Sequence, residues 1–118
     1  MDIKGAEYLQ KIHVIAWNEK DATKRKELLE EIYAHDIKMY DKDFILEGLD
    51  AVSEFIGKLI EGDPAFSFEA AQPIEPLQNS ARLFGKIQTS EEILRSMDFF
   101  LIENDKVKDL YAFMEPQH

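Results

Sequence analysis

The chain has 118 residues, enough for one domain around one core (1–118) and too few for two. At 45% hydrophobic and 32% charged residues it has the composition of a folded globular protein rather than a disordered one. Fourteen Lys and Arg against 24 Asp and Glu leave a net charge of -10, which argues for no nucleic acid and no membrane as partner, and the lack of cysteine removes disulfides and thiolate metal sites.

The predicted elements follow in chain order. Met-Asp-Ile-Lys-Gly at the start has no basic stretch leading into an apolar one. No apolar run approaches the roughly 18 residues a membrane span needs, so the cytoplasm is the expected compartment. Leu9, Ile12, His13, Ala16 and Trp17 fall at helical spacing and predict a first amphipathic helix. Asn18-Glu-Lys breaks the pattern, and Asp21 suits the N-cap of a second helix with the stripe Arg25, Leu28, Leu29, Ile32 and Tyr33. A short strand follows, with Ile37, Met39 and Asp41 facing one way and Lys38 and Tyr40 the other. Phe44-Ile-Leu is extended before Gly48 turns the chain. A third helix carries Val52, Phe55, Ile56, Leu59 and Ile60, with Gly62 expected at C′ and Pro64 stopping it.

After Pro64 the period changes to two. Extended segments are predicted from Phe66 to about Leu77, Ala81 to about Thr89, and Glu91 to Glu103. Asn104-Asp105-Lys106 turns the chain into a last strand, Val107 to Met114. Between Ile93 and Ile102 both faces are apolar: Ile93, Arg95, Met97, Phe99 and Leu101 on one, Leu94, Ser96, Asp98, Phe100 and Ile102 on the other. Such a strand needs cover on both sides, and Asp98 among these neighbours must find a partner, stay protonated or line a cavity.

Helices gathered ahead of a run of strands predict an α+β fold: a curved, mixed but mainly antiparallel sheet forming a half-open cone closed by three helices from the N-terminal half. Strands of about ten residues, roughly 33 Å long, coil rather than lie flat and leave a cavity beneath the helices. The convex face looks apolar in places, so a homodimer is expected.

Four stretches resemble the nuclear transport factor 2-like superfamily, in particular its SnoaL-like polyketide cyclase and ketosteroid isomerase branches. Ala16-Trp17-Asn18 followed by Asp21 is similar to the end of the family's first helix. Met39-Tyr40-Asp41 resembles its first strand end, with Lys42 in place of the usual proline. Gly48-Leu-Asp-Ala-Val-Ser-Glu-Phe-Ile resembles the head of its third helix, and the run from Ser96 to Phe113 its last hairpin. Ser80-Ala81-Arg82-Leu83-Phe84 is also similar to a SnoaL-like strand, without that strand's tryptophan. The resemblance implies a curved sheet closed by three helices, a deep pocket and a homodimer.

By the same resemblance Asp41 takes the position of the catalytic base in ketosteroid isomerase. Asp98 takes that of a protonated aspartate in the oxyanion hole, and His13 that of a tyrosine. The residues point the same way independently, since Asp41, His13 and Asp98 all share a phase with apolar neighbours. Such a set would abstract a proton beside a carbonyl and stabilise the enolate, as in an isomerase, cyclase or dehydratase. The expected ligand is a hydrophobic or amphipathic small molecule, with Trp17, Met39, Tyr40, Phe55, Phe68, Arg82, Phe84 and Phe100 lining its pocket and with no cofactor.

Structural readings stand beside these. His13 also fits a core histidine, Asp41 a turn cap, and a His13–Asp98 pair a satisfied polar link. Arg82 fits a solvated strand arginine as well as a pocket group. Trp17, Tyr40, Phe55 and Phe68 fit packing better than stacking platforms. Met39, Met97 and Met114 fill core gaps as readily as they line a pocket. His13 and His35 show no metal-ligand spacing. A non-catalytic ligand-binding dimer and a protein-interaction module remain alternatives to the enzyme.

Overall fold

A computed structural model describes residues 1–115. Three helices, α1 (Ile3–Ala16), α2 (Ala22–Ile32) and α3 (Leu49–Gly62), lie against one sheet of seven strands: β1 (Tyr33–Tyr40), β2 (Ile45–Glu47), β3 (Ser67–Ala70), β4 (Glu75–Leu77), β5 (Ser80–Gln88), β6 (Ile93–Glu103) and β7 (Lys106–Glu115). The sheet order is β2-β1-β7-β6-β5-β3, with β4 also paired to β5. Only the β1–β7 pairing is parallel. This is the expected mixed, mainly antiparallel α+β cone. No helix among the described residues is long and apolar enough to cross a membrane.

Local chemistry sets the boundaries. Asp2 and Asp21 cap α1 and α2 by accepting from the backbone N–H groups of Gly5 and Lys24. Gly48 opens α3 at φ 94, a conformation that any Cβ would strain. Asn104 and Asp105 both have positive φ, which makes the β6–β7 connection a two-residue type I′ hairpin.

Three expectations need correction. The first strand begins at Tyr33, directly after α2, because Tyr33 already has extended backbone (φ -105, ψ 144). Gly62 is the last residue of α3 rather than its C′ residue, and Asp63 ends the helix in extended conformation. The segment from Phe66 to Leu77 is two strands, not one. Residues 71–74, which include Pro73, leave the ladder between β3 and β4, and both strands pair with β5.

The core lies between the concave face and the helices. Leu9, Ile12 and Ala16 of α1, Leu29 of α2, and Val52 and Ile56 of α3 meet Ile37, Leu83, Phe100 and Leu110 of the sheet, all buried. Each large apolar side chain fully buried this way contributes about 1.5–3 kcal/mol. Arg25, in the apolar stripe of α2, is buried because its guanidinium fastens helices together. Nε donates to Ser53 Oγ (3.0 Å) and Nη1 to the Glu19 carbonyl (2.8 Å). Gly57 makes the room, since a Cβ there would stand 2.8 Å from Nη2.

Candidate functional site

A cavity of about 150 Å³ opens between the concave face, α1 and α3. Its wall is almost entirely apolar, with Trp17, Met39, Phe55, Leu59, Phe66, Phe68, Ile87 and Leu94; the polar side chains on it include Asp41, Ser96 and Asp98. A wider hollow of about 360 Å³ lies between Met1, Tyr8 and Asp105, away from these groups.

Strand alternation delivers Asp98. On β6 Ser96, Asp98 and Phe100 are buried, whereas Met97, Phe99 and Leu101 are half-buried on the convex side. The Asp98 side chain is 11% exposed, and its residue lines the cavity. Its Oδ2 lies 3.1 Å from His13 Nε2. His13 is fully buried, with the rings of Phe68 and Phe100 nearly perpendicular to it at centroid distances of 5.4 and 5.1 Å. Its other nitrogen, Nδ1, lies 2.6 Å from the Tyr33 hydroxyl, which in turn accepts from Trp17 Nε1 at 3.0 Å.

The proton order along this chain is fixed by which groups can donate. Trp17 Nε1–H only donates, so the Tyr33 oxygen accepts it. Burial pushes the Tyr33 phenol well above its ordinary value, with the Trp17 bond opposing and the Asp98 charge reinforcing, so the phenol keeps its proton. That proton goes to His13 Nδ1. The imidazole hydrogen therefore sits on Nε2 and is donated to Asp98 Oδ2. Asp98 thus accepts and needs no proton of its own, where the resemblance gave it the part of a neutral donor. None of the described residues bonds its Oδ1.

His13 itself cannot meet a ligand, because it is buried and both ring nitrogens are engaged. Asp41 does reach the cavity, half-buried just past the end of β1. It also shapes a turn: its N–H donates to the Phe44 carbonyl (2.9 Å) and its Oδ1 accepts from the Asp43 N–H (3.3 Å). The cap and the pocket position coexist.

Among the other expected lining residues, Trp17, Met39, Phe55 and Phe68 are on the wall. Phe100 is not; it is fully buried beneath, against His13. Tyr40, Arg82 and Phe84 are corrections, because the sheet turns them to its convex face. Tyr40 stacks on Tyr111 at 4.5 Å. Arg82 pairs with Glu75 (3.2 Å) and covers the Phe84 ring at 5.2 Å. Register places Leu83 opposite Asp98, so it is Leu83 that faces inward. With Leu83 and Phe84 both apolar, alternation alone does not fix the phase of β5.

Three side chains matter that the sequence reading did not single out. Tyr33 has the spacing of a helix stripe, yet its hydroxyl joins Trp17 to His13. Asn18 clamps the cavity wall: Nδ2 donates to the Val14 (2.8 Å) and Phe68 (2.7 Å) carbonyls, and Oδ1 accepts from the Phe68 N–H (2.8 Å). That clamp gives the motif around Trp17-Asn18 its physical purpose. Ser96 shares the phase of Asp98, which was the available signal for it. No group of three or more His, Cys, Asp or Glu among the described residues could hold a metal ion.

No family model and no curated protein matches the chain. Solved structures do. A SnoaL-like family protein from Agrobacterium tumefaciens superposes with a TM-score of 0.85 at 16% identity, over 96% of this chain and 99% of that one. A protein named "putative ketosteroid isomerase" from Kribbella flavida gives 0.78 at 13% identity, over 99% and 82%. A de novo designed protein with a curved β-sheet gives 0.78 at 13% identity, over 98% and 89%. The chain therefore has the nuclear transport factor 2-like fold that its motifs resemble. At such identities the likeness extends to fold alone, and a fold by itself does not assign an activity.

Proposed function

We propose that this chain takes a small, mostly apolar carbonyl compound into the cavity and moves a proton on the carbon beside the carbonyl, with Asp98 as proton acceptor. One observation carries the reading: a carboxylate on the wall of an apolar cavity has one oxygen held by a buried imidazole and the other unbonded. A carboxylate held in this way is oriented and poorly hydrated, both of which favour proton abstraction. His13 is then a positioning residue. Asp98 then gives that proton back, to another carbon of the enolate for isomerisation, to the oxygen of a carbonyl that the enolate attacks for ring closure, or to a departing hydroxyl for loss of water; Asp41 is the second carboxylate on the wall.

A second reading is a protein that holds such a ligand without transforming it. It is favoured by the Trp17–Tyr33–His13–Asp98 chain, which pairs every side-chain polar atom from Trp17 Nε1 to Asp98 Oδ2 as a structural link would.

Indan-2-one separates the two. Its ring system is somewhat larger than the benzene that a 150 Å³ apolar cavity holds, and its protons beside the carbonyl exchange measurably in D₂O. Proton NMR is expected to show protein-accelerated exchange that falls about 10²-fold in Asp98→Asn. Asp98→Asn exchanging at the wild-type rate refutes the base assignment. Binding without accelerated exchange in the wild type establishes the second reading.

A further inference from the structure

We infer that Ser96 is the ligand-anchoring residue of the cavity, so that the ligand carries an oxygen acceptor, a carbonyl in the first instance, two strand positions from where Asp98 acts. The inference rests on the proposed reading of the cavity and names the part of the substrate that the cavity selects.

Ser96 lines the cavity on the concave face and is 6% exposed. Its Oγ is closed off from solvent and has no hydrogen-bond partner, the one buried side-chain polar atom in that condition among the described residues. A buried hydroxyl left unpaired costs roughly 1–3 kcal/mol relative to a paired one, so an alanine there would suit the fold better. A polar group kept at such a cost on a ligand cavity is a group kept for the ligand.

Gly85 faces Ser96 in the β5–β6 register, and a Cβ on it would come within 2.8 Å of Ser96 Oγ and 2.7 Å of the Phe68 ring. As placed, Oγ lies against Gly85 beside the Phe68 ring, so a turn about χ1 is what brings it to a ligand in the cavity that its residue lines.

The spacing suits a carbonyl and its adjacent carbon. Residues two apart on a strand are about 6.6 Å apart on one face. A carbonyl oxygen can therefore accept from Ser96 while the neighbouring C–H faces Asp98 Oδ1. When the proton passes to Asp98, the C–H pair forms the new C=C bond and the carbonyl π pair moves onto oxygen. The Ser96 O–H then meets the enolate charge.

Indane, which has a CH₂ where indan-2-one has its carbonyl, provides the test. Affinities of both are measured by NMR titration for the wild type, Ser96→Ala and Ser96→Cys, with thermal melting of each protein. The wild type is expected to prefer indan-2-one about fivefold, roughly 1 kcal/mol. Ser96→Ala abolishes that preference, keeps the indane affinity and melts no lower than wild type; Ser96→Cys falls between. A preference that survives Ser96→Ala, or a clear loss of stability in that variant, overturns the assignment while leaving the cavity reading intact. A wild type that takes up neither compound overturns both.

Discussion

Replacing Tyr33 by Phe removes one oxygen from the middle of the buried chain and tests whether that chain exists. The hydroxyl accepts from Trp17 Nε1 at 3.0 Å and donates to His13 Nδ1 at 2.6 Å, and its residue is 2% exposed. The phenylalanine ring fills nearly the same space, so no cavity contribution arises. Two hydrogen bonds are lost, and a donor and an acceptor are left buried without partners at roughly 1–3 kcal/mol each, giving about 2–6 kcal/mol in all. For a chain of this size that lowers Tm by about 10–20 °C. Urea unfolding is followed by fluorescence of Trp17, the sole tryptophan and itself a member of the chain. Tyr40→Phe is the control, because its 3.3 Å bond to Asp109 is only part-buried and its loss is expected to stay within about 0.5 kcal/mol. The pH dependence adds a second readout. The Tyr33 phenol is raised in the fold above its unfolded value of about 10, so its contribution is complete below that pH and is lost as pH rises beyond it. Tyr33→Phe removes that part of the alkaline decline. A loss under about 0.5 kcal/mol with an unchanged m-value, and an unchanged alkaline limb, would refute the chain and the proton order drawn from it.

Gly85→Ala forces a Cβ to 2.7 Å from the buried Phe68 ring, and the overpacking is expected to cost about 1–3 kcal/mol in urea unfolding and to weaken indan-2-one binding. Asn18→Ala breaks three bonds to the backbone of α1 and β3, with an expected loss of about 1–2 kcal/mol and a weaker grip on the same probe. In acid, Asp63 is held below the usual aspartate value by the backbone N–H groups of Ser90 and Ala65, and Asp21 by that of Lys24. Their contributions are present above about pH 4 and are lost as pH falls through the lowered values, so the urea midpoint drops there and drops less in Asp63→Asn. The half-buried convex residues Met97, Phe99 and Tyr111 are expected to be covered by a second copy. Sedimentation should then give a dimer that Phe99→Lys dissociates, and a monomeric wild type would rule that contact out.

Much of the architecture was legible because it depends on local periodicity. All five residues of the first stripe, Leu9 to Trp17, are buried, and the alternation that put Asp98 on the face of Ser96 and Phe100 holds along β6. Where alternation failed, both phases were apolar: Leu83 and Phe84 offered no contrast, and Arg82 went outward with Phe84. Tyr33 was unreadable for another reason. As the fifth member of a helical stripe it looked like packing, and only the abrupt change to strand geometry aims its hydroxyl at His13, 20 residues earlier.

Caps, turns and amphipathic stripes act within a few residues, so the sequence alone determined three helices, a run of strands and a turn at Asn104-Asp105-Lys106. The site required contacts of long sequence separation, such as the 85 residues between His13 and Asp98. Which carboxylate oxygen is held, which nitrogen carries the proton and which hydroxyl is left unpaired were decided by tertiary structure. Those outcomes depend on which donors and acceptors meet in the core, and no local pattern encodes that meeting.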